Sequence, residues 1–498
     1  MKKTVIIIGG GISGLTSGIY AKLNGYDAVI LEKNHVLGGA CIGWERKGCY
    51  IDGCIHWMAG IKETSNFYGM WNDVGAISKD SPFFFQNDFH TIDFGDKKFT
   101  VWADTDKLEK ELVAFAPEDE RQIKKFCKLV KRFRKIEGPV HKPVDLMNLF
   151  DLLKIAFTML GDYYYVAKTS KISCSDYAKK FKNPYLSKWL ADAMSADYNF
   201  MSFLYMLGHV SNRNGGIPIG GSVEIIRRMQ EKFLSLGGEV KYLSEAEKIN
   251  VDNGVATGVT LKNGEIINGD YIVSSTPVEH CLKTLLEGKY PLKSIDLRLK
   301  DEKTYPTYTY TTAVFKVQAD LSSAPLSHVV YLNKPITLEK DYDSVSFRNY
   351  SYDKTLKAPK GYTVVQATLS GNDKTYYWWK NVKKTCDYKA EKQKIAEQLL
   401  SVYIEKYPDL LGKVEIIDVI SPLTYERYLN TRHGSFQGFV HTAKGKSLMQ
   451  KGVIKGLKNF ILSGQGIFRS GGMPPALITG KFAVQRICKF DKKKFKTI

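Results

Sequence analysis

The sequence predicts an α/β fold, with one domain assembled from separated stretches of chain and a second domain of mixed sheet and helices. Three observations predict it. Residues 4–14, TVIIIGGGISG, run an apolar strand straight into glycines spaced G-x-G-x-x-G. Residues 459–487, NFILSGQGIFRSGGMPPALITGKFAVQRI, repeat the order of apolar strand, glycine loop and helix near the other end of the chain. Between them the α/β texture is interrupted and returns at Gly215.

At the first motif each glycine has its own task. Gly9 permits the turn out of the strand, Gly11 lets backbone approach a pyrophosphate, and Gly14 lets helix pack on strand. The helix, expected from Ser13 to about Asn24, aims its free N–H groups and positive end at the phosphates. A second strand, from Ala28 to Leu31, delivers Glu32, whose carboxylate suits ribose hydroxyls and repels a 2′-phosphate. This strand–turn–helix with its acid reads as a Rossmann-like dinucleotide site.

Further along, residues 97–115 read as a strand and a helix. Residues 117–136 read as a basic amphipathic helix, with Ile123, Phe126, Val130 and Phe133 on one face. Residues 144–166, VDLMNLFDLLKIAFTMLGDYYYV, are strongly apolar. Two readings stay open for this pair: a helical substrate domain with a solvated basic face, or a peripheral membrane patch. The stretch from Gly215 reads as glycine turn, helix and strand. Asn-Gly at 253–254 and 263–264, each between alternating apolar residues, predicts hairpins. Residues 305–317 read as a strand and 388–406 as a helix ended by Pro408. The discontinuous domain is therefore expected over 1–75, 205–290 and 445–498, and the second over 76–204 and 291–444.

Composition is that of an ordinary globular chain of 498 residues, 44% hydrophobic and 25% charged. The net charge of +20 favours anionic surfaces, although lysine outnumbers arginine heavily, as coding bias also produces. No nucleic-acid motif is present, so nucleic acid ranks last among partners. The 8 cysteines have no C-x-x-C spacing, which fits a reducing, cytoplasmic compartment. Cys41, Cys49, Cys54 and His56 are close in sequence, but their spacing matches no structural zinc site, and no metal is expected. The apolar start after MKK is broken by glycines and lacks a cleavage signature, so it reads as a strand rather than an export signal. No uninterrupted apolar run reaches transmembrane length.

Together Glu32 with Gly38-Gly39, the segment at 459–487 and NGGIPIGGS at 214–222 resemble the phytoene desaturase branch of the FAD-dependent amine oxidoreductase superfamily, and within it carotenoid isomerases and retinol saturases. The likeness covers essentially the whole chain. LEKNHVLGGACIGWERKGCYIDGCIHWMAG is similar to the family's acid, double glycine and following hairpin. Ala40 stands where the family usually has a polar residue, and Cys54 where carotene desaturases usually carry proline. Residues 421–442 are similar to the family's strand and loop near the flavin ring.

The resemblance implies extended FAD. Gly9, Gly11, Ser13, Gly14, Glu32, Lys33, Gly38 and Gly39 would hold its ADP half, with the backbone at Ala246 against the adenine. Gly464, Gly472 and Met473 would meet the flavin. His56, Arg469 and His433 are the catalytic candidates: His56 as proton donor or flavin contact, Arg469 as anchor for a carboxylate or for charge on reduced flavin. Tyr425 and Tyr428 read as wall, and the Phe83–Phe85 and Tyr163–Tyr165 clusters as a lipophilic tunnel or as core. The expected activity is hydride exchange at flavin N5 with carbon–carbon double bonds of a carotenoid, a retinoid-like isoprenoid or an unsaturated fatty acid, as desaturase, saturase or isomerase. The expected location is cytoplasmic, peripheral to the inner face of the membrane if the apolar segment docks there; oligomeric state is open. A flavin amine oxidase and a non-catalytic prenyl- or lipid-binding protein of the same superfold are the alternatives.

Overall fold

β1 (Thr4–Ile8) is the middle strand of a five-stranded parallel sheet, and its unbroken apolar run follows from burial on both faces. The computed structural model describes residues 2–54, 57–138, 140–194, 198–446, 450–468 and 471–498, and at 158 and 159 the backbone alone. After β1 the chain turns at Gly9 into α1 (Ile12–Leu23) and returns along β2 (Asp27–Leu31), which pairs with β1 so that Ile8 faces Leu31. A hairpin of β3 (Gly43–Arg46) and β4 (Cys49–Asp52) follows.

The inserted stretch opens with the hairpin β5 (Asp88–Asp93) and β6 (Lys98–Trp102). The basic segment forms α2 (Glu120–Phe133), which buries Ile123, Phe126, Val130 and Phe133 as its pattern predicts. The apolar segment is one helix, α3 (Leu149–Ser170), started by a reciprocal cap between Asn148 and Asp151. α4 (Phe200–Ser211) closes the insertion.

Residues Gly215–Pro218 are a buried strand rather than the expected turn, because they bridge the short strands Met58–Ala59 and Phe83–Phe84. Then come α5 (Gly221–Ser235), β7 (Glu239–Lys241), the two predicted hairpins over Ala246–Asp252, Val255–Leu261 and Ile266–Asn268, and β8 (Tyr271–Ser274). The second domain adds β9 (Tyr308–Val317), β10 (Ser327–Thr337), β11 (Asp341–Asn349), β12 (Thr363–Asn372), α6 (Asp373–Thr385), β13 (Val414–Ile420) and α7 (Pro422–Leu429). The chain finishes with β14 (Phe460–Leu462) and α8 (Met473–Phe490).

The parallel sheet has the order β7-β2-β1-β8-β14, so strands from both ends of the chain lie side by side. The large sheet is mixed, β13-β9-β12-β11-β10-β5-β6, with β10 and β5 parallel and the other neighbours antiparallel. α1 packs closely on the turn from β1, where a Cβ at Gly14 would lie 1.9 Å from the Gly9 carbonyl oxygen, and α8 crosses α1 closely, where a Cβ at Gly480 would lie 2.6 Å from the Ser13 carbonyl oxygen. α8 also fixes the lead into α3, through Arg486 paired with Asp145 at 2.7 Å and Gln485 donating to the His141 carbonyl. The expected strand after residue 421 is α7 instead: Ser421 caps it reciprocally with Thr424, and Pro422 presets its first turn.

Candidate functional site

β1, β8 and β14 end at one edge of the parallel sheet, in Gly9, Ser275 and Gly464. A cavity of about 1450 Å³ begins there and extends under the large sheet to α3. Gly9, Gly11 and Ser13 line its start, with Gly38 and Gly39 beside them; the Gly38 N–H donates to the Gly10 carbonyl at 2.9 Å and ties the two glycine loops together. Gly14 does not line the cavity; it is spent on packing.

The residues present fit a dinucleotide. Ser13 Oγ, in the first turn of α1, is buried without a hydrogen-bond partner, as a phosphate ligand is before its phosphate arrives. Glu32 is aimed by its neighbours: its carboxylate accepts from the Gly10 N–H at 2.8 Å and from the Asn34 N–H at 2.9 Å. Ala246 lines the same end as Glu32. Lys33 lines it too, but its ammonium is already bound to Asn430 Oδ1 at 2.7 Å and the Arg427 carbonyl at 3.0 Å, and burial lowers its pKa.

At the other end of this stretch stand Gly464, Gly472 and Met473. α8 begins at Met473 with prolines at 474 and 475, which have no N–H, so its first turn offers the Met473 amide and the helix dipole. Gln465 sets this loop: it accepts from the Gly472 N–H at 2.5 Å and donates to the Phe436 carbonyl at 2.8 Å. His56 and Arg469 lie outside the described residues.

Beyond the glycines the wall is aromatic. Tyr310 stacks on Phe436 with centroids 4.5 Å apart, and Tyr308, Tyr425 and Tyr198 complete the cluster. Burial raises the Tyr198, Tyr308, Tyr310 and Tyr425 phenols, so they stay neutral and serve as wall and hydrogen-bond donors. Tyr428 is also in the wall. Arg348 and His90 face in from the large sheet, and His90 Nδ1 lies 2.7 Å from Ser327 Oγ. Farther out the lining is apolar, with Phe133, Ile136, Leu152, Ile155 and Leu160.

One reading is corrected and one open alternative is decided. His433 is not in the cavity wall. Its φ of 51° turns the ring towards Asp373, 2.5 Å from Nδ1, and Tyr377, whose hydroxyl is 3.1 Å from Nε2. Burial pushes the Asp373 carboxyl up, but hydrogen bonds from His433 and Thr307 outweigh it and hold it below its ordinary value. Glu302, Asp373 and His433 do bring ligand atoms within 4.8 Å of one another, among the described residues; Arg432, 2.5 Å from Glu302 and 3.0 Å from Glu279, already supplies positive charge there. The Phe83–Phe85 run packs on the core of the parallel-sheet domain, not in the cavity, and of the tyrosine run Tyr163 alone lines it. Sequence reasoning missed His90, Tyr198, Tyr308, Tyr310, Arg348 and Phe436, which carry no local motif and converge only in the folded chain.

A family model described as an NAD(P)-binding Rossmann-like domain matches residues 7–74. A phytoene desaturase (lycopene-forming) of Paracoccus sp. is 23% identical, over 97% of this chain and 97% of its own length. A chloroplastic prolycopene isomerase of Daucus carota is 23% identical, over 86% of this chain and 71% of its own. The chain is an enzyme of the FAD-dependent oxidoreductase superfamily. Two solved structures share its fold across their whole length. An oxidoreductase from Methanosarcina mazei superposes with a TM-score of 0.60 at 14% identity, covering 97% of this chain and 100% of that one. Cyclohexylamine oxidase from Brevibacterium oxydans gives 0.61 at 12%, covering 99% and 100%.

Proposed function

We propose that the cavity holds FAD in extended form and presents to it a carbon–carbon double bond of a long apolar substrate, a carotenoid, a retinoid-like isoprenoid or an unsaturated fatty acid. The observation that carries this is the cavity itself, which runs from the dinucleotide edge to an apolar mouth at α3. Bound FAD would supply hydride exchange at N5. The chain's residues do the rest. Ser13 and the α1 terminus take the pyrophosphate, Glu32 the ribose, and Gln465 holds the loop at the ring. The neutral phenols of Tyr198, Tyr308 and Tyr310 exclude water, which a polyene needs more than it needs acid–base groups. Desaturation, saturation and isomerisation share this geometry, and the likeness to a desaturase over 97% of the chain and to an isomerase over 86% of it supports the group.

The mouth supports delivery from lipid. Leu149, Phe150, Leu153, Phe157 and Leu160 of α3 stand outwards, Phe157 with 86% of its surface exposed, beside the lysine-rich α2. No helix among the described residues is long and apolar enough to cross a membrane. We infer that α3 lies in the surface of an anionic bilayer, at the inner face of the membrane, and admits substrate beneath it. Co-sedimentation with anionic vesicles at low salt is expected, and its absence would remove this part.

A second reading, amine oxidation, has one specific observation in favour: Tyr308, Tyr310, Tyr425 and Phe436 form an aromatic box that suits an amine by cation–π contact. Fold likeness supports it at least as well as the first, since cyclohexylamine oxidase is among the similar structures. The test is to supply FAD-loaded protein with polyenes and unsaturated fatty acids, and separately with alkylamines. A change in double-bond number or geometry supports the first reading; hydrogen peroxide from amines with polyenes unchanged supports the second.

A further inference from the structure

Cys41 and Cys54 meet in the cavity wall. The β3–β4 hairpin pairs Gly43 with Asp52 and Arg46 with Cys49. The Gly53 N–H donates to the Ile42 carbonyl at 3.0 Å, which carries the ladder one pair past the strands. The same register sets Cys41 opposite Cys54, and their sulfurs share a hydrogen bond of 3.3 Å. Opposed residues of an antiparallel pair hold their Cα atoms about 4.5–5.5 Å apart, within the span of a disulfide.

Both positions are anchored. The Cys41 N–H donates to the Gly38 carbonyl at 3.0 Å, and the Cys54 N–H to Asp52 Oδ1 at 2.9 Å. Asp52 is held in turn by the Ser222 N–H at 2.6 Å and its hydroxyl at 2.7 Å. Cys41 is buried and Cys54 half-buried, open to the cavity beside the Gly38-Gly39 loop. The hydrogen bond with Cys41, and then burial, hold the Cys54 thiol well above its ordinary value, so in the reduced pair Cys54 is protonated. Cys49, at the closed end of the hairpin, is buried in a different cluster and takes no part. Nothing in double-bond chemistry calls for two apposed thiols at this place.

We propose that Cys41 and Cys54 are a reversible dithiol–disulfide couple in the cavity wall beside the Gly38-Gly39 loop. An external disulfide oxidises it: one cysteine thiolate attacks the reagent and displaces one of its sulfurs as a thiol, and the second cysteine then closes the Sγ–Sγ bond and displaces the other, so that both cysteine protons leave with the reduced reagent. A dithiol from outside that enters through the cavity reverses the exchange: its thiolate attacks one sulfur, the other leaves as a thiol, and a second exchange releases the oxidised reagent.

The experiment uses the purified full chain with FAD added. It is equilibrated with mixtures of reduced and oxidised dithiothreitol, quenched by alkylation, digested and weighed by mass spectrometry. The expected result is a peptide joining residues 41 and 54 under oxidising mixtures, reversed by reduced dithiothreitol and absent from Cys41→Ser and Cys54→Ser. Cys41→Ala and Cys54→Ala repeat the comparison should a serine fold poorly. No joined peptide in any mixture overturns the couple.

Discussion

His90 faces the cavity from β5, and burial, aided by the charge of Arg348, lowers its pKa to about 3 from an ordinary 6.5. Its native form is neutral while the unfolded chain protonates below 6.5, so the unfolded state binds the extra proton as pH falls. Its stabilising contribution is full above 6.5 and is lost progressively towards 3. At pH 5 the loss from this group is about 2 kcal/mol. Thermal melts should therefore show His90→Asn losing less stability than wild type between neutral pH and pH 5; parallel losses would contradict the assignment. Ser13 gives a second prediction. Ser13→Ala removes a hydroxyl that has no partner within the protein, so the apoprotein should melt at or slightly above wild type, whereas FAD affinity should fall about tenfold in equilibrium titration. At this scale the sequence is legible where chemistry is local. Gly9, Gly11, Ser13 and Glu32 sit within one strand–helix–strand unit, and their spacing speaks for their position. His433 was misplaced because its glycine-flanked loop says nothing about which way a left-handed backbone turns the ring. His90, Arg348 and Tyr310 reach one wall from three separate strands, and no spacing along the chain records that.

Among the elements, α1 and α3 carry contrasting claims. α1 is packed closely on the turn before it, at Gly14, and against α8, at Gly480. Gly14→Ala would press a methyl into the Gly9 carbonyl, a backbone group that cannot rotate away, at a cost of about 3 kcal/mol, read as a lowered denaturation midpoint. α3 is the reverse, a helix whose apolar residues stand out from the protein. Replacing Leu153, Phe157 and Leu160 together by serine should leave stability within about 1 kcal/mol, since exposed positions contribute little to folding. The same variant should lose sedimentation with anionic vesicles; retained sedimentation would place the contact elsewhere. The glycine motif made α1 visible in the sequence, and an apolar run marked the stretch that forms α3. Whether the apolar face of α3 met core or solvent was left open, because an apolar stripe reads the same in either setting. The segment after Ser421 went the other way: a strand was expected by resemblance, and a Ser-Pro start with a reciprocal cap makes a helix.

In the whole molecule, a parallel sheet closed by strands from both ends of the chain brings β1 and β14 together, and the mixed sheet roofs the space beside their ends. The discontinuity was legible, since strand, glycine loop and helix occur at both termini. The cavity was not, because its volume belongs to the packing of two sheets and not to any segment. The account rests on that cavity holding a flavin at one end and an apolar chain at the other. The most direct measurement is a visible-absorbance titration of the FAD-reconstituted protein with a detergent-dispersed polyene, with an alkylamine run alongside under anaerobic conditions. The account predicts a saturable shift of the flavin band with the polyene and none with the amine; a protein without a flavin band, or one bleached by the amine and indifferent to the polyene, would contradict it.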